Sequence, residues 1–168
     1  LKADLIYRKA NLTDFNQLKS LGKASYSEFS KVLTLENWNK MNAFLESDEK
    51  LVNLIELSTV FVCEKEAVII GMIYLVPSGN PTELFHEQWS YIRFLGVHTE
   101  FRGHGIGKKL TDLCIQFAKD TNETYMALHT SEFMDAARTI YEKRGFEKIK
   151  AIEYLGKRYW IYLYNIEA

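Results

Sequence analysis

The chain has 168 residues and a formal charge of −1, a length that suits one folded domain and a charge too small and too scattered for a nucleic-acid binder. Its 47% hydrophobic and 26% charged residues are ordinary globular proportions, which excludes a disordered or low-complexity protein. The longest apolar runs, such as residues 67–76, are strand-sized and fall well short of the ~20 residues that span a bilayer, and no signal-peptide pattern precedes them.

Ten Tyr, ten Phe and three Trp favour strands and supply large side chains for a core. Both cysteines sit in apolar settings, Cys63 in a strand-like run and Cys114 on a helical stripe. There a free thiol behaves as a small hydrophobe, so neither is read as catalytic or bridging, and a reducing, cytoplasmic compartment is expected.

In chain order, Leu5–Lys9 alternates like a first strand. Asn11 to Asp14 then offers cap residues for a helix with Phe15, Leu18, Leu21 and Gly22 on one face. A second helix is expected from Thr34, with Leu35, Trp38, Met41 and Leu45 on its stripe, and a third over Asp48–Leu57 with Leu51, Leu54 and Ile55. Residues 59–64 and 67–76 read as a hairpin in which Gly71 marks a bulge, and 77–88, with both prolines, reads as a surface loop. A strand is expected at 89–98. A helix to about Asp120 follows, on which Ile106, Leu110, Leu113, Cys114, Phe117 and Ala118 form one stripe. A short strand at 124–129 leads to Ser131, a cap for a helix burying Phe133, Ala136, Ala137, Ile140 and Tyr141 and ended by Gly145. Strands at 146–154 and 159–165 close the chain as a hairpin, giving a mixed sheet with helices packed against it.

The segment Arg102-Gly103-His104-Gly105-Ile106-Gly107-Lys108 joins a strand to a helix. Three glycines let the backbone approach an anion, the helix start adds free N–H donors, and Arg102 and Lys108 flank them, so the turn suits a pyrophosphate. A Walker A loop needs Gly at Arg102 and Ser or Thr at Lys109. A Rossmann turn needs G-x-G-x-x-G where this one reads G-x-G-x-G. Neither fits.

Arg102, Gly105 and Gly107 match the R/Q-x-x-G-x-G/A motif of the GNAT acetyltransferases. Downstream, Ala137, Ile140-Tyr141-Glu142-Lys143 and Gly145-Phe146 resemble the A-x-x-L-Y-x-x-x-G-F signature of the same superfamily. The resemblance covers the whole element order. It implies one α/β (α+β) domain over residues 1–168, with a mostly antiparallel sheet of about seven strands, splayed at its centre, and four or five helices. It also implies acetyl-CoA as acyl donor, no metal, and an amine of a small molecule or peptide as acceptor. A homodimer is an expectation at the family level. Leu95, Gly96 and Val97 would pair with the pantetheine arm, and Gly103, His104, Gly105, Ile106, Gly107 and Lys108 would cradle the pyrophosphate beside Arg102.

Acetyl transfer needs a neutral amine, a stabilised oxyanion and a proton for the departing thiolate. The resemblance places the Tyr141 phenol beside the sulfur and the N–H of Gly96 or Val97 at the carbonyl. Where many relatives carry a glutamate base this chain has Tyr91, which leaves Glu87, His86, His129 or a water relay. Met134 stands where relatives often carry a cofactor-binding Asn. The resemblance implies an acceptor side built from Tyr26, Glu28, Trp38, Glu83, Glu87, Tyr154 and Tyr159, a mix of acids and aromatics that suits a cationic amine and equally a solvated surface. A non-catalytic acyl-CoA-binding module is the alternative.

Overall fold

The computed structural model describes residues 4–167. Seven strands form one sheet in the order β1-β2-β3-β4-β5-β7-β6. They are β1 (Leu5–Lys9), β2 (Thr59–Lys65), β3 (Val68–Val76), β4 (Trp89–Val97), β5 (Tyr125–Ser131), β6 (Glu147–Tyr154) and β7 (Lys157–Asn165). Every junction is antiparallel except β4 with β5, which is parallel because α4 (Ile106–Asp120) carries the chain back across the sheet between them. The expected mixed, mostly antiparallel α/β architecture is therefore found.

Helices cover both faces. Leu18, Leu21, Leu51, Leu54 and Ile55 from α1 (Phe15–Tyr26) and α3 (Asp48–Leu57) pack with Val60, Val62, Met72 and Tyr74 on one side. On the other, Ile106, Leu110, Cys114 and Ala118 of α4 meet Cys63, Ile73, Ile92 and Met126. Apolar residues at strand period and helix period on facing surfaces drive this layering, because each element buries one side only. Both cysteines are free and buried, and burial raises each thiol above its ordinary pKa, which keeps them inert.

Local caps explain the helix boundaries. Thr34 Oγ1 accepts from the Asn37 N–H at the start of α2 (Leu35–Glu46), and Ser47 Oγ accepts from Lys50 N–H at the start of α3. The α2 stripe is shallower than its periodicity suggests, for only Leu45 is buried and Leu35 is 75% exposed. The bulge expected at Gly71 lies beside it, as the register steps from Cys63↔Gly71 to Glu64↔Ile69 and leaves an extra residue in β3. Gly71 has its own reason to lack a side chain, since a Cβ there would sit 2.7 Å from Ile106 Cγ2. It lets α4 lie close on the sheet.

Two expectations fail. Ser131 does not cap a helix; it ends β5, its backbone oxygen accepts from Met134 N–H, and α5 (Asp135–Lys143) starts four residues later. Of the stripe expected to be buried on α5, only Tyr141 is buried, while Ala136 is exposed and Phe133, Ala137 and Ile140 are half-buried. That stripe faces a cavity.

Candidate active site

The parallel junction is the origin of the site. β4 and β5 pair only at Trp89↔Tyr125, Ser90↔Met126 and Tyr91↔Ala127. Toward their carboxyl ends the strands part, which is where ligands enter parallel α/β units. A bulge assists. The β3–β4 register steps from Tyr74↔Arg93 to Met72↔Gly96, so β4 carries one extra residue, and Phe94 takes a left-handed φ of 50°. The gap opens into a cavity of about 660 Å³ that runs between both helical layers, well within the range of ligand pockets.

On the α4 and α5 side the cavity is bounded by Leu95, Gly103, Gly105, Ile106, Gly107, Lys108, Ala136, Ala137, Ile140 and Tyr141. Gly103 and Gly105 adopt φ of 82° and 80°, a conformation that L residues avoid. The first helical hydrogen bond of α4 runs from Lys109 N–H to the Gly105 oxygen. Among the described residues, none of the six backbone N–H groups from Gly103 to Lys108 has an acceptor. α2 and α3 have Thr34 and Ser47 as caps, whereas Gly105 has no side chain to offer. Six unpaired donors at a positive helix end, with Lys108 beside them, fit a diphosphate group.

Arg102 is engaged elsewhere. Its Nη1 lies 3.1 and 3.0 Å from the two carboxylate oxygens of Glu28, Nη2 donates to the Ser25 oxygen, and Nε donates to the Val97 oxygen. It braces the end of β4 against the end of α1. Tyr141, 4% exposed, forms part of the cavity wall, and its hydroxyl has no hydrogen-bond partner among the described residues. Burial raises its pKa well above the ordinary phenol value, so it stays protonated.

The opposite half of the cavity is aromatic. Phe94 stacks on Phe44 with centroids 5.1 Å apart and meets Tyr26 edge-on at 5.4 Å, and Phe29 meets Phe133 at 5.0 Å. Arg93, brought to this side with Phe94 by the bulge, lies 4.9 Å from the centroids of both Phe44 and Phe94. His129 stacks on Tyr159 at 5.4 Å and meets Tyr154 edge-on at 5.7 Å. Burial first, then the Arg93 charge, push the His129 imidazole down to about 4, so it is neutral near pH 7. Its Nδ1 is buried without a partner, which leaves Nε2 for the cavity.

The structure thus gathers Leu95, Gly96, Val97, Arg102, Gly103, Gly105, Ile106, Gly107, Lys108 and Tyr141 around one cavity, while His104 is exposed outside the lining. Of the alternative bases only His129 is there. Tyr91 is buried in the α1–α3 core, stacked on Phe85 at 4.5 Å, and His86 and Glu87 are exposed away from the lining. Tyr26, Glu28, Tyr154 and Tyr159 reach the cavity, but Trp38, Glu83 and Glu87 do not. Sequence reasoning passed over Arg93, Met41, Phe44 and Phe133 as cavity residues; a charged residue inside the apolar alternation of β4 was the available signal.

Comparison with known proteins agrees with this geometry. The model of the acetyltransferase (GNAT) family matches residues 26–146, which contain the whole cavity apart from Ser25 and the last hairpin. Human N-acetyltransferase 8B is 33% identical over 91 residues, 54% of this chain and 39% of that protein. The chain spans about two fifths of the length of such curated relatives. PaiA N-acetyltransferase from Thermoplasma acidophilum, solved in complex with coenzyme A, superposes with a TM-score of 0.77 at 18% identity, covering 96% of this chain and 98% of that one. The yncA protein of Salmonella typhimurium, solved with its cofactor acetyl-CoA, gives 0.70 at 15% identity, covering 97% and 94%. With the family model matched over most of its length and the family's fold reproduced from β1 to β7, the chain belongs to the GNAT acetyltransferase family.

Proposed function

We propose that this chain is an N-acetyltransferase that moves the acetyl group of acetyl-CoA to an amine by direct attack on the thioester. The observation that carries the reading is the row of six unpaired N–H groups, Gly103 to Lys108, set at the carboxyl ends of two parting parallel strands. Bound there, acetyl-CoA supplies an activated acetyl thioester and, on transfer, a thiolate leaving group.

The residues divide the remaining work. The free edge of β4 at Leu95, Gly96 and Val97 offers strand-type hydrogen bonds to a pantetheine arm, and the N–H of Gly96 or Val97 polarises the carbonyl. Apolar Ala136, Ala137 and Ile140 line the same channel and keep water from the thioester. The amine lone pair forms the new C–N bond, the C–S bond breaks, and its electron pair takes the Tyr141 hydroxyl proton, which water restores to the phenolate as the site reopens. The surplus proton on nitrogen leaves through His129 Nε2 or a water. A base as weak as His129 does not strip a resting ammonium; it accepts the proton after attack has made the N–H acidic. Proton uptake there requires the tautomer with hydrogen on Nδ1.

Tyr91 in place of a glutamate base motivates one other reading, an acyl-CoA-binding module without turnover. One experiment separates the two: incubation of the purified chain with acetyl-CoA and a panel of amines, following free thiol and acetylated product together. Product formation supports the enzyme; coenzyme binding with no product from any amine supports the module. A cytoplasmic setting accompanies the proposal, supported by two free, buried cysteines, and among the described residues no helix is long and apolar enough to cross a membrane.

A further inference from the structure

The acceptor half of the cavity holds a cation with no counter-ion. Arg93 is half-buried on β4, and among the described residues it makes no ion pair and no side-chain hydrogen bond. The two carboxylates on the cavity wall are both taken, Glu28 by Arg102 and Asp135 by Arg138. Lys40, at the rim, lies 3.9 Å from Glu36. Lys108 belongs to the opposite half, beside the amide nest. The positive charge left on the acceptor side is therefore that of Arg93.

The way Arg93 is held shows which of its atoms are free. The Arg93 Cζ lies 4.9 Å from the ring centroids of both Phe44 and Phe94, which stack on each other 5.1 Å apart, so the two rings crowd one side of the guanidinium. These ring contacts accept none of its five N–H donors in a conventional hydrogen bond, and among the described residues no Arg93 nitrogen is a fully buried, unpartnered atom. A fixed planar fork of donors matches the two oxygens of a carboxylate. Retaining such a charge among Tyr26, Phe44, Phe94 and Tyr154 is costly unless something pairs with it. A second cationic group on the acceptor would meet repulsion here, which narrows the expected cationic amine to one whose second charge is negative.

We infer that the acceptor is an amine that also bears a carboxylate, as in an amino acid with an apolar or aromatic side chain, and that Arg93 binds that carboxylate while the aromatic wall holds the rest. The inference rests on the acetyl-transfer reading for the role of the amine. Burial, the larger cause of the low His129 pKa, remains in the complex, while the anion offsets the smaller one, the Arg93 charge.

The test compares acids with their neutral counterparts. Acetylation of L-phenylalanine, L-leucine and L-methionine is measured against the corresponding amides and against 2-phenylethylamine. In parallel, calorimetry in the presence of CoA compares the N-acetyl amino acids with their N-acetyl amides. A charge-assisted pair gives the acids an advantage of about 10- to 100-fold in kcat/KM and in affinity. In Arg93→Gln that advantage disappears, while CoA affinity and the folded circular-dichroism spectrum are retained. Acids that react and bind no better than amides in the unaltered chain overturn the inference without recourse to any variant, as does a preference that survives in Arg93→Gln. If no amine is acetylated but the N-acetyl acids still bind tighter through Arg93, the enzyme reading fails and the carboxylate site stands.

Discussion

Arg102 and Glu28, 74 residues apart, form an ion pair at 3.0 Å that joins the turn before α4 to the segment after α1. The guanidinium that sequence alone would assign to a phosphate is shared with a carboxylate at the border between the two halves of the cavity. Removing that carboxylate charge without changing its shape should favour an anionic ligand in the neighbouring nest. Glu28→Gln is expected to tighten CoA about two- to fivefold, the scale of a half-exposed ion pair. Titration calorimetry checks this, and an unchanged affinity would place the phosphates beyond the reach of both residues.

Tyr141 presents an unpaired hydroxyl on the cavity wall, so its removal should be felt in chemistry and not in folding. Tyr141→Phe keeps the ring and its contact with Phe146, at 5.6 Å between centroids. With a good acceptor, kcat is expected to fall by on the order of 10² to 10⁴ while CoA affinity and Tm change little. Near-normal kcat under conditions where chemistry limits the rate would make Tyr141 a packing residue.

Gly105 has open space where a Cβ would be built, so its importance lies in its φ of 80° and not in crowding. Gly105→Ala should cost roughly 1–2 kcal/mol of stability for the left-handed conformation. Gly105→Asp adds a carboxylate among the donors, and CoA affinity should drop at least about tenfold beyond the alanine variant. Equal CoA affinity in the two folded variants would rule out this turn as the phosphate site.

His129 makes stability depend on pH in a defined direction. Its folded pKa of about 4 lies below its ordinary 6.5, so between those values the unfolded chain binds a proton that the folded chain refuses. Stability is unaffected by this group above 6.5 and is lost as pH falls through the window, by roughly 3 kcal/mol in all. Denaturant melts at intervals from pH 7 to 4 should show the loss, and His129→Gln should flatten that part of the curve. The same slope in both proteins would mean that the imidazole titrates freely.

The parts legible in the sequence are those decided locally. Ser47 caps α3 with its own oxygen, so the limits Asp48–Leu57 could be read from neighbouring letters, and the glycine turn declares its chemistry within six residues. Ser131 is ambiguous in the sequence because the same residue type also ends strands, and which role it takes depends on β7 lying beside it. The stripe on α5 is apolar in the sequence, but periodicity does not report whether protein or a cavity covers it. Arg93 was hidden by the bulge, which breaks the strict alternation of β4 and sends Arg93 and Phe94 to the same side. Glu83 and Glu87 sit in a loop whose path no period reveals.

The short seam between β4 and β5 has a consequence for how the molecule comes apart. Three residue pairs are all the strand pairing that joins β1–β4 to β5–β7, so in backbone pairing the sheet is two leaves on a short hinge, tied further by the α4 core that crosses the seam, and its thinnest pairing borders the site itself. A ligand lying along both parted edges acts as a clasp across that line. At 100 times its Kd such a ligand adds about 2.7 kcal/mol to the closed form, concentrated where the leaves separate. Amide exchange at Leu128 to Ser131 and at Ile92 to Val97 would then report occupancy directly, and a chain holding the proposed coenzyme would open there less often than one without it.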